Sequence, residues 1–106
     1  MTQGELFNHL KSLGLPVQYH HFTDPPAPPY LVYLFAYSND LMADNFNYQE
    51  ISNFQIELYT NKKDLQSEAL VENKLKALFM PYNKIETWID TEKLFQVIYE
   101  IQLIGG

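Results

Sequence analysis

Few residues of this chain could do acid–base or metal chemistry, and their spacing scatters them. His9, His20 and His21 are the only imidazoles among 106 residues and there is no cysteine, so a metal site would have to combine histidine with carboxylates. His20 and His21 are neighbours on an expected strand, where successive side chains point to opposite faces, which works against one ion held by both. Asp40 and Asp44, flanked by Asn39 and Asn45, hint at a calcium loop. The alternate-position ligands, central glycine and closing glutamate of an EF-hand are missing, however, and a solvated polar stretch is the plainer reading. Glu57 and Glu100 could approach each other across a sheet as an acid–base pair, but acids on the exposed parity of antiparallel strands are expected without catalysis. Ser12, Ser38, Ser52 and Ser67 lie in no nucleophile-elbow pattern. Gly4 and Gly14 are isolated and Gly105-Gly106 end the chain, so no glycine-rich phosphate cradle is expected. The chain therefore reads as a non-enzyme, with no catalytic residue, no metal site and no cofactor.

Charge narrows the partners. Thirteen acidic residues against seven basic ones give a net charge of −6, and every basic residue is lysine. Proteins that grip nucleic acid accumulate a basic face, because phosphate neutralisation supplies most of their affinity, and arginine is the usual reader of base edges. This chain is not expected to hold DNA or RNA. No apolar run approaches the roughly 18–20 residues that cross a bilayer, so no membrane partner is expected. The first residues, with Glu5 and no basic segment, do not read as a signal peptide. The length fits a single domain, 1–106, with one core.

A short series of elements has to position these side chains. Thr2-Gln3-Gly4-Glu5 has the form of a capping box, Leu6, Leu10 and Leu13 follow at helical spacing, and Gly14 ahead of Leu15-Pro16 supplies a left-handed stop, which predicts a helix over 2–13. Val17 to Phe22 reads as a short edge strand. Asp24-Pro25-Pro26-Ala27-Pro28-Pro29 holds four prolines in six residues, and with φ fixed and donors removed it predicts an extended, semi-rigid arm over 24–29, suited to reaching a neighbour. Tyr30 to Tyr37 is an unbroken apolar and aromatic run, the pattern of a strand covered on both faces, with a partner subunit as the natural second cover. The stretch 38–47 reads as a polar loop rich in turn formers. Tyr48 to Tyr59 reads as a half-buried strand in which Phe54, Ile56 and Leu58 alternate with Gln55 and Glu57. A second helix, capped at Asn61 and closed by Pro81, turns Leu65, Ala69, Val71, Leu75, Leu78 and Phe79 to one side. Strands over 84–90 and 94–103, joined by a turn at 90–93, finish the chain. The order α-β-β-β-α-β-β predicts an α+β fold: a mainly antiparallel sheet of about five strands with both helices packed on one face.

Alternation divides the apolar strand into two sets. Val32, Leu34 and Ala36 suit packing beneath helices, whereas Tyr33, Phe35 and Tyr37, with Leu31, suit an interface, because rings carrying hydroxyls can meet a partner acceptor. Trp88 and Ile98 occupy the outward parities of their strands and join that face. Leu41, Met42 and Phe46 are apolar residues in a solvated stretch and are expected either to fold back as anchors or, as interface residues, to dock on a partner.

The helix Glu5 to Lys11 leading to Leu15-Pro16-Val17, the stretch His21-Phe22 through Pro28-Pro29-Tyr30-Leu31-Val32-Tyr33, the segment Ile51 to Tyr59 with Lys62-Lys63-Asp64-Leu65, and the closing Gln96-Val97-Ile98-Tyr99-Glu100 resemble small proteins of the structural module of phages and prophages of Gram-positive bacteria. The group they resemble is the tail-terminator, or tail-completion and head–tail joining, family, and the likeness covers nearly the whole chain. It implies a structural virion protein of the tail–head junction, made in the host bacterial cytoplasm, with no catalytic residues. Its implied partners are itself, in a ring of six, the tail tube protein that the ring caps, and the head connector protein. DNA would pass through the ring without being gripped, repelled by an acidic wall; Asp40, Asp44 and Glu50 are the acids that a long polar loop would project into the bore. Beside this stand another neck or connector adaptor of the particle and, from a different class, a small homo-oligomeric ligand-binding domain, which requires a pocket between helices and sheet.

Overall fold

Helix α1 (Gln3–Lys11) begins where the capping box predicts: the Glu5 amide donates to the Thr2 hydroxyl and the Glu5 carboxylate accepts from the Thr2 amide. It ends ahead of Gly14, whose φ of +84° is the left-handed stop expected there. The remaining elements are β1 (Val17–Tyr19), β2 (Tyr30–Ser38), β3 (Leu41–Ala43), β4 (Phe46–Gln49), β5 (Ile51–Thr60), α2 (Leu65–Ala77), β6 (Asn83–Ile89) and β7 (Leu94–Ile104). The computed structural model describes residues 1–43 and 46–105, with backbone alone for 41–43 and 46–48.

The main sheet has the order β1-β2-β5-β7-β6 and is antiparallel except for the β1–β2 pair. This is the expected α+β fold. Register stacks the apolar parity in rows: Leu31 faces Leu58, which faces Val97, and Tyr33 faces Ile56, which faces Tyr99. These residues share one buried cluster with Leu6 and Leu10 of α1 and with Val71 and Leu75 of α2, so both helices cover the same face. Each such fully buried aliphatic side chain contributes about 1.5–3 kcal/mol.

The apolar strand is turned over relative to the sequence reading. Leu31 and Tyr33 lie beneath the helices, with Tyr33 6% exposed and its ring 5.9 Å from that of Phe7; Val32 and Leu34 take the opposite face. A run with no polar residue carries no mark of its inner parity, and the neighbouring strand β5, whose Phe54, Ile56 and Leu58 are buried, decides it. Ala36 is an extra residue: register slips between Phe35, which faces Phe54, and Tyr37, which faces Asn53. The bulge moves Tyr37 to the face opposite the helices.

Three further elements differ from expectation. The prolines do not form a free arm. Because β1 and β2 are parallel, residues 20–29 must return to the start of β2, and they do so across the open face: Phe22 and Pro25 share a cleft with Tyr30, Val32 and Tyr59, and the Phe22 ring meets Tyr30 edge-on at 5.4 Å. This crossover, not a second subunit, covers Tyr30 and Val32. The stretch 38–47 contains an antiparallel ladder, β3–β4, in place of a polar loop, with Leu41, Met42 and Ala43 facing Gln49, Asn47 and Phe46. In α2 the cap is Asp64, whose carboxylate accepts from the Ser67 amide at 3.0 Å, and not Asn61. Its inward residues are Ser67, Glu68, Val71 and Leu75, leaving Leu65 and Phe79 exposed; the buried charge of Glu68 is satisfied by lysines from elsewhere in the chain.

Placing Tyr33 in the core reverses the order of two truncations. Tyr33→Ala is expected to cost about 3–5 kcal/mol and Leu34→Ala clearly less, since Leu34 is only half-buried. Urea midpoints at constant slope measure both, and a larger loss for Leu34→Ala would contradict this placement.

Candidate functional site

Among the polar clusters of the described residues, two lie on opposite faces of the sheet and join separate elements. The first lies between α2 and β6. Helical spacing puts Glu68 and Glu72 on the inner side of α2, and strand parity turns Lys84 and Glu86 of β6 toward them. Lys84 Nζ lies 2.7 Å from Glu68 Oε1 and 2.8 Å from Glu72 Oε2, Lys63 Nζ lies 2.7 Å from Glu68 Oε2, and Lys63 also pairs with Glu86. The Tyr99 hydroxyl donates to Glu72 at 2.7 Å and that of Tyr82 at 3.4 Å.

Electrostatics lock this cluster in its charged form. Burial, the largest single influence, pushes Glu68 up, yet the hydrogen bonds and charges of Lys63 and Lys84 together hold it below the usual carboxylate range. Glu72 follows the same pattern, with burial opposed by Lys84 and the Tyr99 hydroxyl. Lys84 is raised by its hydrogen bonds to both glutamates, and the Tyr99 hydroxyl is raised by burial and then by Glu72. Near neutral pH the cluster thus offers neither a free amine nor a transferable carboxyl proton, and its chemistry is that of a tie between helix and sheet.

The second constellation is on the open face, at the base of the β3–β4 hairpin. Asn53, 9% exposed, donates to the Tyr37 carbonyl at 3.2 Å and to Asn39 Oδ1 at 2.7 Å, while accepting from Gln102 Nε2 at 3.2 Å. The Asp40 carboxylate accepts from the Ile51 amide at 3.0 Å, and the Asn39 amide donates to the Ile51 carbonyl. These bonds brace the point where β2 and β5 pass into the hairpin. Beside them runs a cleft of about 440 Å³ whose lining includes Tyr37, Asn53, Gln55, Asn83, Glu100 and Gln102. It offers amides, the Glu100 carboxylate and the phenols of Tyr37 and Tyr82, beside apolar Phe54, Ile101 and Ile104. None of this was read from the sequence, where the glutamines of β5 and β7 signalled only an outward parity.

The residues singled out from the sequence are spread across the molecule. Tyr33 is in the core and leaves the interface set, whereas Phe35 (45% exposed) and Tyr37 (59%) remain at the surface, on different faces because of the bulge. Leu41, Met42 and Phe46 are on β3 and β4, with side chains outside the described residues. Asp44 lies outside the described residues. Asp40 braces the hairpin base and is half-buried, while Glu50 is exposed. Trp88 belongs to the helix-side row through Phe95, its ring 4.8 Å away, and Ile98 to the open face, next to Ile85. Glu57 faces Ile98 and Glu100 faces Gln55, so the two acids do not pair with each other. The histidines overturn the strand argument: β1 stops at Tyr19, His20 takes a φ of +68°, and the two Nδ1 atoms come to 3.1 Å of each other. Among the described residues no group of three or more histidine, aspartate or glutamate side chains is gathered to hold a metal. Compared with known proteins, the chain matches no family model and no curated protein.

The charged tie has a defined pH window. A carboxylate lowered by folding stabilises fully above its unfolded value, here 4.5, and loses that stabilisation as pH falls through its folded value; a lysine raised by folding stabilises below 10.5 and loses it above. The cluster's contribution is therefore expected to be full between about pH 4.5 and 10, where Tyr99, raised from 10.0, sets the upper edge ahead of Lys84, and to fall on either side. Lys84→Met is expected to lower it by about 1.5–3 kcal/mol within that window and to flatten the acid limb. Urea titrations at several pH values read both effects, and an acid limb of unchanged slope would show that the cluster does not couple to folding.

Proposed function

We propose that this chain is a ring-forming structural subunit of a phage particle, a tail-terminator or head–tail joining protein that caps the tail tube and meets the head connector. The resemblance over nearly the whole chain supports this reading, and the α+β architecture is of the kind that the resemblance implies. The observation that carries it furthest is the hairpin. The two long strands β2 and β5 continue into β3–β4, and the molecule measures 49 × 29 × 23 Å. A hairpin hydrogen-bonded at its base through Asn39, Asp40 and Asn53 suits contact with a neighbour or a tube end. Net charge of −6 with no arginine suits a conduit wall that lets DNA slide, and Glu50, exposed between β4 and β5, could contribute to it. A second reading, a small ligand-binding domain, has in its favour only the open-face cleft, whose volume falls within the range of ligand sites but which lies opposite the helices and not between helices and sheet.

Replacing residues 41–49 with a short glycine turn removes the hairpin and keeps the bracing residues. The shortened chain is expected to retain its far-UV spectrum and most of its thermal stability. Supplied in place of the intact chain during phage assembly, it should yield uncapped tails of irregular length under negative stain. Normal capped tails with the shortened chain would refute this role for the hairpin. A metabolite that raises the melting temperature while no ring or tail association is found would favour the ligand-binding reading.

A further inference from the structure

Strand β6 ends the main sheet, so the backbone groups along its outer edge have no strand beside them among the described residues. It is seven residues long, against three for the opposite edge strand β1, which is cut short by the left-handed turn at His20. Edge strands of soluble proteins are usually blunted by charge, proline or brevity. Here the two charges, Lys84 and Glu86, are drawn toward α2 by Glu68, Glu72 and Lys63, while Ile85 and Trp88 stand 47% and 43% exposed. The edge is therefore unusually free to accept a strand.

We propose that β6 pairs with β6 of a second copy of this chain, antiparallel about a two-fold axis at Ile85. Sheet faces match across such an axis only when facing residues share a parity, which limits the centre to a whole residue. Centring on Lys84 sets two lysines opposite each other, and centring on Glu86 sets two glutamates opposite each other; like charges in facing positions are destabilising. Centring on Ile85 sets Lys84 against the second copy's glutamate at 86, Asn83 against its threonine at 87, Tyr82 against its tryptophan at 88, and Ile85 against itself. Every facing pair then has matching chemistry. The charged tie of each copy runs on into the other, and on the open face Ile85, which faces Ile98 within the chain, extends that apolar strip across the axis. The patch is self-complementary and closes at two copies. The pairing does not depend on the virion reading, because it concerns the free protein in solution.

The chain has no cysteine, so single introduced thiols report the register directly. Under mild oxidation Ile85→Cys is expected to give a covalent dimer, because its counterpart faces it at about 5 Å. Thr87→Cys is expected to give none, because its counterpart is displaced by four residues, about 13 Å along the strand. A mixture of Asn83→Cys with Thr87→Cys should cross-link between the two variants. Sedimentation of the unmodified protein should show a dimer, and Ile85→Lys, exposed enough to leave the fold intact, should weaken it at least about tenfold. A monomer at high concentration, or cross-linking at 87 as fast as at 85, overturns the proposal. A six-membered ring without an Ile85→Cys cross-link overturns the pairing and leaves the ring standing, whereas a dimer that never caps tails does the reverse.

Discussion

Strand β5 is paired along both edges for nearly its whole length, to β2 on one side and β7 on the other. The alternation of its side chains therefore decides which face of the sheet the two helices cover. Once Phe54, Ile56 and Leu58 point inward, register carries that choice sideways to Leu31 and Tyr33 and to Val97, Tyr99 and Ile101, with no freedom left to the neighbours. The same constraint sends Gln55 and Glu57 to the other face, where the cleft and the proline crossover are found. Position of the helices, burial of Tyr33 and polarity of the open face are consequences of one strand's period of two.

The second face is handled differently along its length. Near the start of β2 it is covered by residues 20–29, which cross over it to join two parallel strands without a helix. Farther along it is open and amide-lined, and ends in the braced base of the hairpin. A sheet with one helix-covered face and one half-covered face keeps most of its buried apolar area in the first and leaves part of the second exposed. The charged tie between α2 and β6 belongs with the helix-covered face. It satisfies a carboxylate that the inward side of α2 would otherwise bury alone.

Local signals were legible in the sequence, and signals set by distant residues were not. The capping box of α1, its glycine stop, and the alternation of β5 and β7 are each contained within a dozen residues and came through. The inner parity of β2 did not, because Tyr30 to Tyr37 has no polar residue to mark an outside. The inner face of α2 was read at Val71 and Leu75 but not at Glu68, which looks like a solvent residue until Lys63 and Lys84 are brought to it. The short ladder β3–β4 was masked by its asparagines and aspartates, and the convergence of His20 and His21 depends on one backbone angle that composition does not encode. Of the open-face network, only the outward parity of the glutamines could be read; the bonds joining Asn53 to Asn39 and Gln102 link separate strands.

The bulge at Ala36 divides β2 into two lengths under different physical constraint. Up to Tyr33, substitution is limited by volume, since each side chain is enclosed by the chain's own atoms. Beyond the bulge, Tyr37 and Ser38 are exposed, and the backbone there is held by Asn53 through a carbonyl that any residue would supply. The outer half can therefore be substituted at little cost to folding, so its surface chemistry is separable from the scaffold behind it.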